Sequence, residues 1–529
     1  MSARETIDAG KAILGIEFGS TRIKAVLIDE EHNPIAQGSH EWENQFEGGY
    51  WTYSLDAIWT GLQKCYSALR EDVHVHYNTE IVNLAGLGIS AMMHGYMAFN
   101  SADQLLAPFR TWRNTNTGAA AKELSALFNF NMPLRWSLSH LYQCIMDGEP
   151  HVKDVVFFTT LAGYIHWKLT GRKVLGVGDA SGMMPIDAKT KDFDGKRIAA
   201  FDRLVAPKGY PWKLREILPQ VLLAGENAGV LTEDGARYLD ISGHLRPGVP
   251  FCPPEGDAGT GMAATNAVKV RTGNVSAGTS SFSMIVLEKD LQKPHEVIDI
   301  VTTPDGSPVA MVHCNNCTSD LNAWVGLFKE YQELLGVPVD MNEVFGKLYN
   351  NALKGDPDCG GLVAYNYFSG EPVTGLAEGR PLFVRNALDK FSLANFIRAH
   401  LYASVGVLKI GNDVLFKEEK VKVDRITGHG GLFKTPGVGQ RVLAAALGTP
   451  ISVMETAGEG GAWGIALLAA YCVNGKGKSL ADYLEKVVFG GNTGTEIAPT
   501  PEDIAGFDAW IKNYTDCLPV EEVAVRQKK

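Results

Sequence analysis

The stretch LGIEFGSTRIKAVLID, residues 14–29, places an apolar run, a Gly-Ser-Thr corner and a second apolar run in succession, with Glu17 just before the corner. This pattern predicts two strands joined by a tight turn. A similar stretch, NVSAGTSSFSMIVLE, lies at residues 274–288, and its Gly-Thr-Ser corner aligns with the first corner. We therefore predict one hairpin architecture used twice in the chain, with chance similarity of two short hairpins as the alternative.

Length, composition and charge exclude several classes of protein. A chain of 529 residues is long enough for two large domains. The net charge of -11 argues against binding to nucleic acid or to a membrane surface. The longest apolar segment, AWGIALLAAYCV, is shorter than the ~18 residues of a membrane span and predicts a buried helix. The N-terminal stretch lacks the apolar core of a signal peptide, and the eight cysteines are irregularly spaced, so we expect a cytoplasmic protein with free thiols.

Strand-like runs alternate with helix-like runs around both hairpins, which is typical of α/β folds. We predict a domain boundary near Ala267, just before the second hairpin, giving domains over residues 11–266 and 267–518. The two ends, residues 1–10 and 519–529, are predicted to be tails.

Each predicted corner could bind phosphate. A small polar turn exposes several backbone N–H groups with no bulky side chain in front of them, and two such turns facing each other could hold a polyphosphate from both sides. Gly and Ser are nevertheless used in hairpins more often for geometry than for ligands. The P-loop pattern GxxxxGK[ST] does not occur in the sequence.

The segment PPEGDAGTGMAA, residues 253–264, holds Asp257 in a glycine-flanked loop before a helix-like run. A carboxylate in such a loop can approach a substrate hydroxyl closely, and phosphoryl transfer to a hydroxyl uses such a base or positioning group. The alternative is that Asp257 only caps the helix.

Three further motifs have more than one interpretation. The GHGG turn, with Gly430 and Gly431, would let a flat ring such as a purine lie against the backbone, although a simple turn before a helix is the commoner cause. GLGISA, residues 86–91, matches a dinucleotide fingerprint but leads into MMHGYMAF rather than into an amphipathic helix. The pair Cys314 and Cys317 could be a redox or metal motif, but we expect two small core residues near a strand end.

Taken in order, these pieces resemble the FGGY family of carbohydrate kinases from about residue 12 to residue 475. The family's DxGTxxxK-like hairpin stands here as EFGSTRIK, its GTS hairpin as GTS, its GGGDxxA loop as EGDAGTG, and its GGG loop with a following GxPV as GHGG and GTPI. On the substrate side the chain is most similar to xylulokinases. Residues 91–95, AMMHG, match their QMHG segment, residues 178–182, GDASG, match SDASG, and LAGYIHWKLTG resembles DYxxxxLTG.

The resemblance implies an α/β fold of two actin-like, ribonuclease-H-like ATPase domains with an interdomain cleft. The N-terminal domain would bind sugar and carry the catalytic base, and the C-terminal domain would bind nucleotide. It implies a kinase that uses ATP and Mg²⁺ to phosphorylate a small sugar, with a ketopentose such as D-xylulose as our choice over ribulose, other ketoses or a polyol. The implied residues are Asp257 as base; Met93, His94, Gly95 and Asp257 for the sugar; Gly19, Ser20, Thr21, Lys24, Gly278 and Thr279 for phosphates; Gly430 and Gly431 for adenosine; and Glu17 with Asp257 for the metal.

Two departures from the family pattern bear on function. The usual first-strand Asp is Glu17 here, which keeps the oxygen ligands but adds a methylene. The W-x-D-x-R element appears as Trp112-Arg113-Asn114-Thr115-Asn116, without its Asp and Arg. The alternatives are a non-enzymatic actin-like ATPase, a nucleotide-binding scaffold that has lost transfer, and a dehydrogenase. The oligomeric state is open, with a homodimer among the alternatives.

Overall fold

The computed structural model describes residues 1–454, 460–475, 477–492 and 494–527. The first half of the chain contains eleven strands and ten α-helices. The strands are β1 (Ile13–Phe18), β2 (Arg22–Ile28), β3 (Pro34–Glu41), β4 (Gln45–Glu47), β5 (Tyr50–Thr52), β6 (Gly86–Ala91), β7 (Met97–Phe99), β8 (Phe157–Thr159), β9 (Val174–Gly176), β10 (Gln220–Leu222) and β11 (Glu255–Gly256). The helices are α1 (Ala3–Asp8), α2 (Leu55–Tyr77), α3 (Gly118–Phe128), α4 (Ser137–Met146), α5 (Leu161–Thr170), α6 (Val177–Ala180), α7 (Gly195–Val205), α8 (Leu214–Ile217), α9 (Glu233–Leu239) and α10 (Asp257–Ala264).

In the described part of the second half, the strands are β12 (Thr272–Ala277), β13 (Ser281–Val286), β14 (Asp299–Thr302), β15 (Pro308–Cys314), β16 (Val363–Tyr365), β17 (Leu382–Val384), β18 (Arg425–His429), β19 (Ile451–Val453) and β20 (Thr495–Ile497). The helices are α11 (Ser319–Leu334), α12 (Met341–Ala352), α13 (Leu393–Asp413), α14 (Val438–Leu447), α15 (Gly460–Asn474), α16 (Leu480–Tyr483) and α17 (Pro501–Arg526). The predicted boundary at Ala267 falls in the loop between α10 and β12 and stays a prediction.

Both predicted hairpins are present and each starts a larger sheet. The first sheet has five strands in the order β11-β6-β1-β2-β3, and the second has seven in the order β14-β15-β13-β12-β18-β19-β20. In each sheet the first hairpin strand pairs antiparallel with the second and parallel with a later strand, β6 beside β1 and β18 beside β12. The shared pairing pattern confirms one architecture used twice.

Helix α15 belongs to the second half of the sequence but packs on the first sheet. Its sequence is apolar on every side, which is typical of a helix buried all round. It packs against β1, β6 and α10 of the first half, and a methyl group on Gly15 of β1 would lie 2.0 Å from the carbonyl oxygen of Ala462. The glycine is therefore required for this close approach, which brings the first turn of α15 next to the end of β1.

The predicted tails are wrong at both ends. Residues 3–8 form α1, because Ser2 and Glu5 make a reciprocal capping box and Ile7 packs into the core. Helix α17 runs on to Arg526, and the buried carboxylate of Glu521 accepts the backbone N–H of Arg380. Local capping and burial, which a polar composition conceals, order these segments.

Among the described residues, no helix is both long enough and apolar enough to cross a membrane. The apolar segment predicted to be a buried helix is α15, as expected.

Candidate active site

The two hairpin corners meet at one cavity. Each turn is closed by the N–H of its glycine, which donates to the Arg22 carbonyl at 3.0 Å from Gly19 and to the Ser280 carbonyl at 2.9 Å from Gly278, so the second corner is one residue shorter. Ser20 of the first corner and Ser280 of the second both line a cavity of about 350 Å³. Two small polar turns from opposite halves of the chain thus face a common space, which is the arrangement that could hold a polyphosphate from both sides.

Asp257 lies on the wall of this cavity, at the start of α10. Its Oδ1 accepts the backbone N–H of Met93 at 3.2 Å and of Ala258 at 3.0 Å. The residue is accessible to solvent, yet protein atoms crowd the carboxylate from the other sides, and this desolvation raises its pKa. The N-cap of α10 is Gly256, and Asp257 is the first helical residue. It accepts the first-turn N–H of Ala258 but also the N–H of Met93 from another segment, so capping accounts for only one of these two contacts.

Glu17 extends from β1 toward the first turn of α15. Its carboxylate accepts the backbone N–H of Ala462, and a methyl group on Gly461 would lie 2.1 Å from its Oε1. Burial and the negative charge of Asp257 raise the pKa of Glu17 to about 7, while Lys24, its partner across the hairpin, acts in the opposite direction.

Glu17 and Asp257 line the same cavity and perturb each other electrostatically. Carboxylate oxygens are the ligands that Mg²⁺ prefers, and a cation between them would relieve the repulsion that raises the Glu17 pKa. The residues present therefore fit a divalent metal.

The predicted sugar segment also reaches the cavity. Met93 and His94 line it, whereas Gly95 has φ +85 and faces the Arg110 carbonyl, where an added methyl group would lie 2.7 Å away. His94 itself has φ +69, an uncommon backbone conformation for a non-glycine residue. Gly95 thus shapes the turn, and the two residues before it supply the side chains.

The protonation of His94 follows from its contacts. Its Nδ1 lies 3.1 Å from the carbonyl oxygen of Gly182, which can only accept a hydrogen bond, so Nδ1 carries the proton. Burial, with a smaller effect of the Arg135 charge, lowers its pKa well below the usual value, so the ring is neutral. Nε2 is consequently an acceptor. The ring is stacked on Trp136, with centroids 6.2 Å apart.

The GDASG segment, residues 178–182, packs against Met93 and His94, two of the residues that face the cavity. The buried carboxylate of Glu255 accepts the backbone N–H groups of Gly178 and Asp179 at 3.2 and 2.9 Å. The Thr160 hydroxyl donates to Asp179 Oδ2 at 2.6 Å. Gly182 lies so close to His94 and Met93 that an added methyl group would clash with both. The segment therefore fixes the positions of the residues that face the cavity.

In the segment Trp112 to Asn116, only Trp112 faces the cavity at Asp257. Its Nε1 donates to Ser20 Oγ at 3.1 Å, joining the sugar side to the first corner. Asn114 is buried and bonds the backbone N–H and carbonyl of Trp51. Arg113 stacks over the Trp51 ring at 4.0 Å. This segment thus contributes no carboxylate to the cavity.

Gly430 and Gly431 follow β18 directly. Gly430 has φ +102, and an added methyl group would lie 2.5 Å from the carbonyl oxygen of Ala277, so the predicted adenosine turn packs beside the second corner. Nothing lies near an added methyl group on Gly431, which leaves open space at that point. His429, the last residue of β18, lines the cavity.

Sequence reasoning missed several cavity residues. Arg135 follows α3, and Phe282, Met311 and His313 lie on β13 and β15, where Phe282 pairs with His313. No local motif marks these residues, because they reach the cavity only through the packing of the two halves. His429 precedes the GHGG glycines and could have been found from that motif.

Two alternative interpretations are resolved by the structure. GLGISA forms the whole of β6, so its glycines make no turn that could cradle a dinucleotide. Cys314 ends β15, and both it and Cys317 are buried free thiols whose pKa values burial raises, as expected for core residues.

Comparison with known proteins agrees with this geometry. The model of the FGGY carbohydrate kinase N-terminal domain matches residues 12–259, and the model of the C-terminal domain matches residues 273–473. The chain belongs to the FGGY family of carbohydrate kinases. As a member of this family it is an ATP-dependent sugar kinase with the two-domain, actin-like ATPase fold.

The relatives differ in the substrate that their names give. Xylulose kinase of Lactococcus lactis is 22% identical over 523 residues, which cover 94% of both chains. Glycerol kinase of Thermococcus gammatolerans is 23% identical over 51% of this chain and 53% of its own. The structure of ligand-bound xylulose kinase from Lactobacillus acidophilus matches with a TM-score of 0.78 at 17% identity, covering 96% of this chain and 98% of that one. Identity this low in the solved structure supports the fold alone.

Proposed function

We propose that the protein transfers the γ-phosphoryl group of ATP, with Mg²⁺, to a hydroxyl of a small sugar, and that this sugar is a ketopentose such as D-xylulose. The observation that carries the proposal is the hydrogen bond from the Met93 N–H to the Asp257 carboxylate. It joins the segment that resembles the xylulokinase sugar-binding segment to the proposed base in one cavity.

Asp257 is the group that accepts the proton of the attacking hydroxyl. One of its oxygens is held by the N–H groups of Met93 and Ala258, which orients the carboxylate. Burial raises the pKa of Asp257. A higher pKa makes the carboxylate a stronger proton acceptor and so a more effective general base at neutral pH. Glu17 and Asp257 would hold bound Mg²⁺, which would neutralise the charge of the phosphates.

The remaining residues bind and orient. The corners offer the backbone N–H groups of Ser20, Thr21 and Thr279 to phosphates, while Gly19 and Gly278, whose N–H groups close the turns, leave space for the phosphate oxygens. Gly430 and Gly431 flank adenosine. Met93 and His94 contact the sugar. Because the cavity is lined by residues of both halves, closure of the cleft on sugar and nucleotide would exclude water and so limit hydrolysis of ATP.

A polyol is the second candidate substrate, because glycerol kinases are among the relatives. Measurement of ADP release with ketopentoses, other ketoses, aldoses and glycerol separates the two. We expect strong stimulation by one or a few ketoses, with D-xylulose the best. Stimulation by glycerol alone would show that the substrate is a polyol rather than a ketopentose. Equal weak turnover with every compound would contradict the proposed function.

A further inference from the structure

Arg135 stands where the cavity opens. Together with Trp112 and His313 it lines both the cavity at Asp257 and an outer cleft of about 790 Å³ between the two halves of the chain. Arg135, His94 and His313 line the same cavity, and the positive charge of Arg135 acts to lower the pKa values of both histidines and, to a smaller degree, of Asp257. Arg135 is therefore at the end of the cavity that opens into the outer cleft.

The guanidinium is held from one side by the second half of the chain. Its Nη2 donates to Asp299 Oδ2, and Asp299 is a buried residue at the start of β14. Asn131 Nδ2 donates to the other oxygen, Oδ1, at 3.0 Å. Both oxygens of Asp299 are thus engaged, and the carboxylate fixes the direction of the Arg135 side chain.

Arg135 has further donors besides Nη2, and it lines the cavity at Asp257. A guanidinium has five N–H groups in a rigid fork, and the contact with Asp299 uses those at one end. His94 presents an acceptor at Nε2, because its Nδ1 proton is bound to Gly182. His313 is neutral, since desolvation and Arg135 lower its pKa to about 3, so it offers one donor and one acceptor. Together these groups offer hydrogen-bond donors and acceptors to several hydroxyl groups of one bound sugar.

We propose that Arg135 is a specificity-determining residue, whose free N–H groups donate to substrate hydroxyls at the end remote from the phosphorylated one, and that Asp299 positions it. The inference rests on the proposed function. Asp299 compensates the charge of Arg135, so the site recognises a neutral polyhydroxy chain rather than an acidic sugar. Arg135 brings to this cavity a charged group that the Trp112 segment does not bring, while Asp299 lines the outer cleft.

The test is steady-state kinetics with the best sugar for Arg135→Gln, Arg135→Lys, Asp299→Asn and the double variant. Arg135→Gln should raise the KM for sugar by roughly tenfold to a hundredfold, as expected for loss of hydrogen bonds from a charged group. The KM for ATP should not change. Arg135→Lys keeps the charge but loses the fork, so its KM should lie between those of wild type and Arg135→Gln.

The positioning role of Asp299 predicts non-additivity. Asp299→Asn should raise the sugar KM less than Arg135→Gln does, and should add no further rise when Arg135 is already Gln. Lys122→Gln is the matched control, because Lys122 is an exposed cation of the outer cleft that does not line the cavity at Asp257. It should leave the sugar KM unchanged. Melting curves establish that each variant is folded.

Three results would overturn the inference. An unchanged sugar KM in folded Arg135→Gln would remove its binding role, and an equal rise in Lys122→Gln would show a general effect of charge. Selectivity for a sugar acid that disappears in Arg135→Gln would show that the site binds an anion. If no sugar is phosphorylated by the wild type, the proposed function fails and this inference fails with it.

Discussion

The Asp257 carboxylate accepts a hydrogen bond from the backbone N–H of Met93, with 3.2 Å between Oδ1 and N. The donor belongs to the backbone, so the contact is set by the path of the chain after β6 rather than by a side chain. Since β11 pairs in parallel with β6, the ends of these strands place the loop of Asp257 and the segment of Met93 and His94 side by side. The sheet therefore places the proposed base beside the proposed sugar-binding residues before any ligand binds.

Replacement of Asp257 by Asn removes the proton acceptor but preserves size. We expect kcat to fall by about 10² to 10⁴, while ATP still binds. Steady-state kinetics and equilibrium binding of ATP measure the two effects. Asp234→Asn, at a surface carboxylate in α9, is the matched control and should keep full turnover. Near-normal kcat in Asp257→Asn would show that another group takes the proton.

Replacement of His94 by Ala removes the Nε2 acceptor. The loss of a polar contact to substrate costs roughly 1 to 3 kcal/mol, so the KM for sugar should rise far more than the KM for ATP. His94→Asn should be milder, because Asn tolerates a positive φ and retains an acceptor. Kinetics with each substrate varied in turn gives both constants. Unchanged sugar kinetics in a folded Ala variant would assign His94 to packing against Trp136.

Variants of Glu17 test its role in holding the metal. Glu17→Gln should weaken the hold on Mg²⁺, so part of its loss of kcat should return at high metal concentration. Glu17→Asp keeps the charge and should stay within about tenfold of wild type, or near 1.4 kcal/mol in barrier terms. The measurement is kcat against Mg²⁺ concentration for both variants. A loss in Glu17→Gln that no metal concentration restores would contradict the assignment.

His140 provides a prediction about stability and pH. It is buried in α4, neither ring nitrogen has a hydrogen-bond partner, and desolvation with the Arg110 charge lowers its pKa to about 3. Below pH ~6.5 His140 binds a proton in the unfolded chain but stays neutral in the folded chain. The stability of the fold therefore falls as the pH falls toward 3. His140→Met should remove this dependence. Its free energy of unfolding should therefore rise by about 2 kcal/mol relative to that of wild type when the pH is lowered from 7 to 5.

Urea unfolding of wild type and His140→Met at both pH values measures this difference. A difference in unfolding free energy that is the same at pH 7 and pH 5 would show that His140 does not titrate as described.

Local pattern predicted the parts of the site that lie next to one another in sequence. Both hairpins, the loop of Asp257 and the Met93–His94 segment were found because each is a short motif with its own geometry. Arg135 and His313 were not found, because they become neighbours only when the two halves pack. The sequence pattern also failed to predict that residues 3–8 and the end of α17 are helical. These helices depend on the capping box at Ser2 and on the buried contact of Glu521.

We propose that the cavity between the two corners transfers phosphoryl groups to a sugar through Asp257. The most direct test incubates the wild type and Asp257→Asn with ATP, Mg²⁺ and D-xylulose, and measures ADP and sugar phosphate in the same samples. We expect equal amounts of both products from the wild type and a large, matched loss of both in Asp257→Asn. ADP without sugar phosphate, or equal product from the two proteins, would contradict it.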